Sequence, residues 1–183
     1  MRIISGEYRG HHFSIRKKFP SRPTTDFAKE NIFNVIGNYF NFNGLDVLDL
    51  FAGTGSISYE FASRGARVDL IENDYKSIVF IKKNIESLKS NVITPYMGDV
   101  FKKIKKLNKT YDIVFADPPY TLKRTPEIPE LIFEYKLLKK GGWLILEHSK
   151  NYTFNAYAYF KELRKYGSVY FSIFENEYIE SGK

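Results

Sequence analysis

Apolar positions follow two different periods along this chain. From Phe27, the residues Ile32, Val35, Ile36 and Tyr39 recur at helical spacing, with Phe33 and Phe40 beside them and Asp26 placed to cap the start. After Gly44 the pattern changes to short apolar runs separated by helical stretches. "LDVLDLF", "RVDLIE", "NVITPYM", "YDIVFAD" and "GGWLILEH" read as strands. Between them "SISYEFASRG", closed by Gly65, "DYKSIVFIKKNIESLK", a short stretch near 100–107 and "PEIPELIFEYKLL" read as helices. Continuously apolar strands joined by helices predict βαβ units and a parallel sheet buried on both faces. The end of the chain differs. A turn at Gly167 leads into an alternating strand with Val169, Phe171 and Ile173, which predicts an antiparallel finish to an α/β sheet.

Length and composition narrow this picture. A chain of 183 residues with 43% hydrophobic content fits one domain with a sizeable core and a small appendage. No apolar run approaches the eighteen or so residues of a membrane span, and "MRIISGEYRGHHF" lacks the apolar segment of a secretory signal. With no cysteine, disulfides and thiolate metal sites are excluded, and a cytoplasmic location is expected. The net charge of +7 is concentrated at the start, where Arg2, Arg9, Arg16, Lys17, Lys18 and Arg22 face a single acid, Glu7. That excess suits a polyanionic partner. Residues 1–24 are therefore read as a basic extension, with "RIIS" and "HHFSI" able to pair as a hairpin across "GEYRG", and residues 25–183 as the main domain. Tyr8, Phe13 and Phe19 either stack on bases or fill the seam between extension and core.

The first candidate chemistry is "VLDLFAGTGSIS", a strand running into a glycine loop and then a helix. Ala52, Gly53, Thr54 and Gly55 form a turn that a ligand can approach closely. No Lys-Ser/Thr pair follows, so this is not a phosphate loop, and Ser58 stands where a dinucleotide fingerprint needs a third glycine. Asp49, just before the loop, disfavours a pyrophosphate and favours a cationic ligand, such as the methionine end of S-adenosylmethionine. Glu72 ends the next strand, before Asn73, and can accept ribose hydroxyls. Asp99 and Val100 follow the third strand and suit an adenine amino group and ring.

The second is "DIVFADPPYTLKR". Two prolines after a buried strand make a rigid corner. Asp117 and the Pro118 carbonyl, held by Pro119, offer two acceptors to the N–H groups of an exocyclic amine, and Tyr120 offers a ring for a base to stack on. Such an amine is a poor nucleophile until its lone pair is freed from the ring. A base inside a helix cannot reach the corner, so it must be unpaired or flipped. Lys123 and Arg124 lie next to the corner and are candidates for phosphate contacts. The adjacent His11 and His12 lack metal-ligand spacing, and no metal site is expected. Lys102, Lys103, Lys105, Lys106 and Lys109 read as a solvated face, Trp143 as core, and Glu147 and His148 as a strand end with no assigned chemistry.

These motifs, together with "MRIISGEYRG", "RPTTDFAKENIFNVI", "IENDYKS", "LEHS" and "RKYGSVYFSIF", resemble the RsmD-type 16S ribosomal RNA guanine-N2 methyltransferases over nearly the whole chain. The resemblance implies a class I, S-adenosylmethionine-dependent, Rossmann-like fold of about seven strands in the order 3-2-1-4-5-7-6. It implies methyl transfer to a guanine N2 (guanine 966 in the family), with 16S rRNA, within an assembling small subunit, as partner. A monomer is expected. By position, Asp49, Gly53 and Gly55 would line the methionine end, Glu72 the ribose, Asp99 the adenine, and Asp117 to Tyr120 the base. The family often has a basic residue where this chain has Phe27, and Lys29 is placed to compensate. Other readings are an amino-methyltransferase acting on DNA adenine N6 or on a protein glutamine, and a non-catalytic RNA-binding module. A glutamine enzyme would not need the basic arm, a DNA enzyme would need a separate recognition region, and a pure binder would not need the acids of the loop.

Overall fold

The computed structural model describes residues 1–13 and 26–177. Seven strands form one sheet in the order β3-β2-β1-β4-β5-β7-β6. They are β1 (Asp46–Leu50), β2 (Arg67–Glu72), β3 (Ile93–Met97), β4 (Tyr111–Ala116), β5 (Leu138–His148), β6 (Phe160–Tyr166) and β7 (Val169–Glu175). The first five run parallel, and β7 is antiparallel to both β5 and β6. This is the expected class I order, with the expected antiparallel finish. The alternation after Gly167 marked β7, while β6, whose burial alternates between half-buried and exposed, carries no comparable apolar signal.

Helices α1 (Asp26–Tyr39), α2 (Ser56–Ser63) and α3 (Tyr75–Leu88) accompany one face, and α4 (Val100–Ile104) and α5 (Glu127–Glu134) the other. Side chains alternating along the strands feed two cores. Val47, Ile113, Phe115 and Ile145 join α1 and α2, whereas Leu48, Val114, Leu144 and Leu146 join α4, α5 and Phe154. Asp26, expected as a cap, is itself the first residue of α1 and pairs with Arg2 at 3.3 Å.

The N-terminal extension is part of the first core. Among the described residues, the two segments expected to pair across "GEYRG" meet in an antiparallel bridge, Arg2 to His12, with Ile3 N–H donating to the His11 carbonyl and Gly10 N–H to the Ile3 carbonyl; Ser14 and Ile15, the end of the second segment, lie outside the described residues. Ile3 and Phe13 are buried, and the Phe13 ring lies 4.7 Å from that of Tyr59, so Phe13 fills the seam. At Gly6 (φ +88°) a Cβ would meet the Ser63 carbonyl oxygen at 1.9 Å, so only glycine allows the extension this close to α2. Arg16, Lys17, Lys18, Phe19, Arg22 and the "RPTT" turn lie outside the described residues. Among those described, no helix is long and apolar enough to cross a membrane.

Covered by the sheet on one side and by α1 and the extension on the other, α2 is buried from Ile57 to Ser63. Its polar side chains are therefore all engaged. Ser63 Oγ donates to the Ser5 carbonyl and accepts from Tyr8 N–H, and Glu60 accepts from Ile4 N–H. Lys29 is only 1% exposed and pairs with Glu60 at 3.0 Å, while its ammonium also donates to the Arg2 carbonyl. Lys29 therefore does not stand in for a surface RNA contact, because Glu60 draws it into the core. Lys109 also departs from expectation: it is no mere solvated residue but bridges Asp46 and Asp69, at 3.3 and 3.0 Å.

Candidate active site

Three parallel strands end side by side, and hydrogen bonds join their ends. Leu50 pairs with both Ile71 and Ala116 in register, so the segments after β1, β2 and β4 emerge at one edge. Asp117 N–H donates to the Leu50 carbonyl at 3.4 Å, and Ala52 N–H to the Ile71 carbonyl at 3.1 Å. The DPPY corner and the glycine loop thus border one crevice.

The loop is shaped for close approach. Phe51, with φ +62°, holds a conformation that side chains seldom adopt, and Gly53 and Gly55 also have positive φ. Gly55 precedes α2, and a Cβ there would meet the Tyr59 ring at 2.7 Å. Glu72 ties the loop to β2: one carboxylate oxygen accepts Gly53 N–H at 2.7 Å and the other Asp74 N–H at 2.7 Å. Each oxygen keeps a further lone pair for a ligand hydroxyl. Asn73 beside it is exposed.

Asp49 is buried beneath the loop and accepts the Ser58 hydroxyl at 2.5 Å. Ser58, at the place of a third glycine, is thus a partner for the acid. Burial pushes the Asp49 carboxyl up to about 7, opposed by the Ser58 hydrogen bond and reinforced by the nearby Glu72 charge. A cationic ligand would reverse that balance, which is the fit expected of an ammonium-bearing molecule. Asp99 caps α4, accepting Lys102 N–H at 2.9 Å, with Val100 buried behind it.

At the corner Asp117 is half-buried, Pro118 buried, and Pro119 and Tyr120 exposed. The Pro119 carbonyl accepts Leu122 N–H at 2.8 Å, closing the turn. Arg124 lies over the Phe101 ring at 3.9 Å and forms a two-pronged pair with Glu127, its closest contact 2.7 Å, so much of its charge is already matched; Lys123 is exposed. Two residues given no role from the sequence are placed here. Tyr120 donates its hydroxyl to Glu147 at 3.1 Å. His148 sits between the Ser149 carbonyl and the Ser172 hydroxyl, both at 2.8 Å, and burial lowers its pKa. The "LEH" segment was visible in the sequence, but its pairing with Tyr120 depends on strand order.

Elsewhere Arg9 is exposed, at a cleft of about 560 Å³ shared with Glu30, Asn34 and Arg64. That cleft lies at the far end of α2 from the glycine loop and takes no part in the crevice. Met1 does reach the loop, its sulfur accepting the Thr54 hydroxyl at 3.4 Å.

Known proteins share this fold and much of this sequence. Residues 1–175 match the family described as conserved hypothetical protein 95. The chain belongs to this RsmD-type methyltransferase family. YlbH of Bacillus subtilis is 35% identical over 155 residues, covering 82% of this chain and 83% of that protein. A Haemophilus influenzae relative named ribosomal RNA small subunit methyltransferase D is 32% identical over 157 residues, covering 82% and 80%. The solved structure of YhhF from Escherichia coli has a TM-score of 0.85 at 26% identity, covering 97% of this chain and 98% of that one.

Proposed function

We propose that the protein transfers a methyl group from S-adenosylmethionine to the exocyclic N2 amine of a guanine in small-subunit ribosomal RNA, the base being turned out of its stack into the DPPY corner. The observation that carries this reading is the hydrogen bond between Asp117 N–H and the Leu50 carbonyl. It holds Asp117, which this reading makes the amine acceptor, beside the start of the glycine loop, so the two reactants would meet in one crevice. The names of the relatives support rRNA as the substrate class, and the net charge of +7 suits it.

The residues present fit the cofactor: Asp49 offers buried negative charge to its ammonium end, Gly53 and Gly55 permit close approach, Glu72 can accept from the ribose and Asp99 from the adenine. When bound there, the cofactor supplies an electrophilic methyl group and leaves as S-adenosylhomocysteine. Asp117 and the Pro118 carbonyl accept the two N–H bonds of the amine, turning its lone pair out of the ring. Tyr120 stacks on the base. Once the nitrogen is methylated, its surplus proton passes to Asp117 or to water. Alignment of the reacting atoms supplies most of the rate.

The test is Asp117→Ala. Methyl transfer to rRNA should fall at least 100-fold while S-adenosylmethionine binds within about threefold of wild type. Transfer near the wild-type rate would remove Asp117 from the chemistry.

A further inference from the structure

Glu147 is a carboxylate only 3% exposed, at the end of β5, and nothing in the methyl-transfer scheme uses it. Its place is specific. Leu146 pairs with Ala116 in parallel register, so Glu147 and Asp117 leave neighbouring strands side by side. On its other side, His148 fixes the strand end. Its Nδ1–H donates to the Ser149 carbonyl, and its Nε2 accepts the Ser172 hydroxyl from β7. Burial favours this neutral form of the imidazole.

Tyr120 is attached differently. It follows two prolines in a surface turn and is 54% exposed. Its hydroxyl nevertheless reaches inward to Glu147 Oε1 at 3.1 Å. A ring anchored at its far end has lost much of its torsional freedom before any base arrives. Base stacking needs that ring at a fixed place, and the cost of fixing it is met during folding rather than in the complex.

We propose that Glu147 is a positioning residue, which holds Tyr120 by its hydroxyl so that the aromatic wall of the base pocket is already formed in the free protein. This rests on the assignment of the DPPY corner as the base site, and it explains why a buried acid ends the strand beside Asp117.

The test is single-turnover methyl transfer to small-subunit rRNA by Glu147→Leu, Glu147→Gln, Tyr120→Phe and the Tyr120→Phe/Glu147→Leu double variant, with cofactor affinity and melting temperature measured for each. Glu147→Leu and Tyr120→Phe should each slow transfer about tenfold, the scale of one lost hydrogen bond at a buried partner, with cofactor affinity unchanged. The double variant should be no slower than either single one. Glu147→Gln, whose amide oxygen still accepts, should recover most of the rate that Glu147→Leu forfeits. Equal rate losses from Glu147→Leu in the wild-type and Tyr120→Phe backgrounds would overturn the proposal, because Glu147 would then act on the base or the fold directly. So would a Glu147→Gln variant as slow as Glu147→Leu. Should Glu147→Leu fail to fold, Glu147→Gln and Tyr120→Phe decide: fast and slow support the proposal, and slow and fast overturn it. Absence of transfer by the wild-type protein would instead count against the methyltransferase reading itself.

Discussion

At the scale of single residues, Asp49 governs how the crevice responds to pH. Its folded pKa of about 7 lies above the value near 3.9 of an unfolded chain. The folded state therefore keeps a proton that the unfolded state has released between these values. The contribution of Asp49 to stability falls as pH rises from about 4 to 7 and levels off above that. Binding of a cationic ligand has the opposite preference, since it needs the ionised acid. S-adenosylmethionine affinity should rise as pH goes from 5.5 to 7.5, and Asp49→Asn should lower it at least tenfold and flatten the pH profile. Calorimetric titration at several pH values checks both; a wild-type affinity independent of pH would place the ammonium elsewhere. The role of Asp49 as a ligand candidate was legible from its place before the glycines. Its hydrogen bond to Ser58 was not, because that contact is made only once α2 packs against β1.

At the scale of elements, α2 links the glycine loop to the N-terminal extension. It starts at the loop, Lys29 of α1 reaches Ser56 in its first turn at 3.3 Å, and Glu60 one turn on holds Lys29. Removing one member of a buried pair leaves the other charge poorly matched, so Lys29→Met should lower stability by about 3 kcal/mol. Urea unfolding checks this, with the midpoint falling at unchanged slope. A change below about 0.5 kcal/mol would mean that Arg64, the other cation on Glu60, is enough by itself. The parallel strands and the four longer helices were legible because their periods are clear. β6 was not, since its register comes from the hairpin with β7 around Gly167. The inward turn of Lys29 was equally hidden: a lysine on a helix reads as solvated until its acidic partner, distant in sequence, is placed.

At the scale of the whole molecule, charge and core meet in the N-terminal extension. Ile3 and Phe13 are buried in the main core, so deleting the extension would damage the fold as well as any RNA surface. Phe13→Ala should cost about 3 kcal/mol, read by thermal or urea unfolding. Electrostatics is better probed by reversing surface charge. Arg9→Glu should leave the melting temperature within about 2 °C and reduce the dependence of RNA affinity on salt, by about 0.7 in logarithmic slope for each single-strand phosphate that is no longer neutralised. An unchanged slope would exclude Arg9 from the RNA surface. The basic bias of the extension was legible from composition alone, whereas its attachment to α2 through Gly6, Ser63 and Glu60 was not.

The most direct measurement of the central claim is mass mapping of nucleotides after incubation of the protein with isotopically labelled S-adenosylmethionine and small-subunit rRNA, naked or in assembling particles, with Asp117→Ala alongside. The account predicts labelled N2-methylguanosine at one site with the wild-type protein and none with the variant. Label on adenine, or equal labelling by Asp117→Ala, would contradict it.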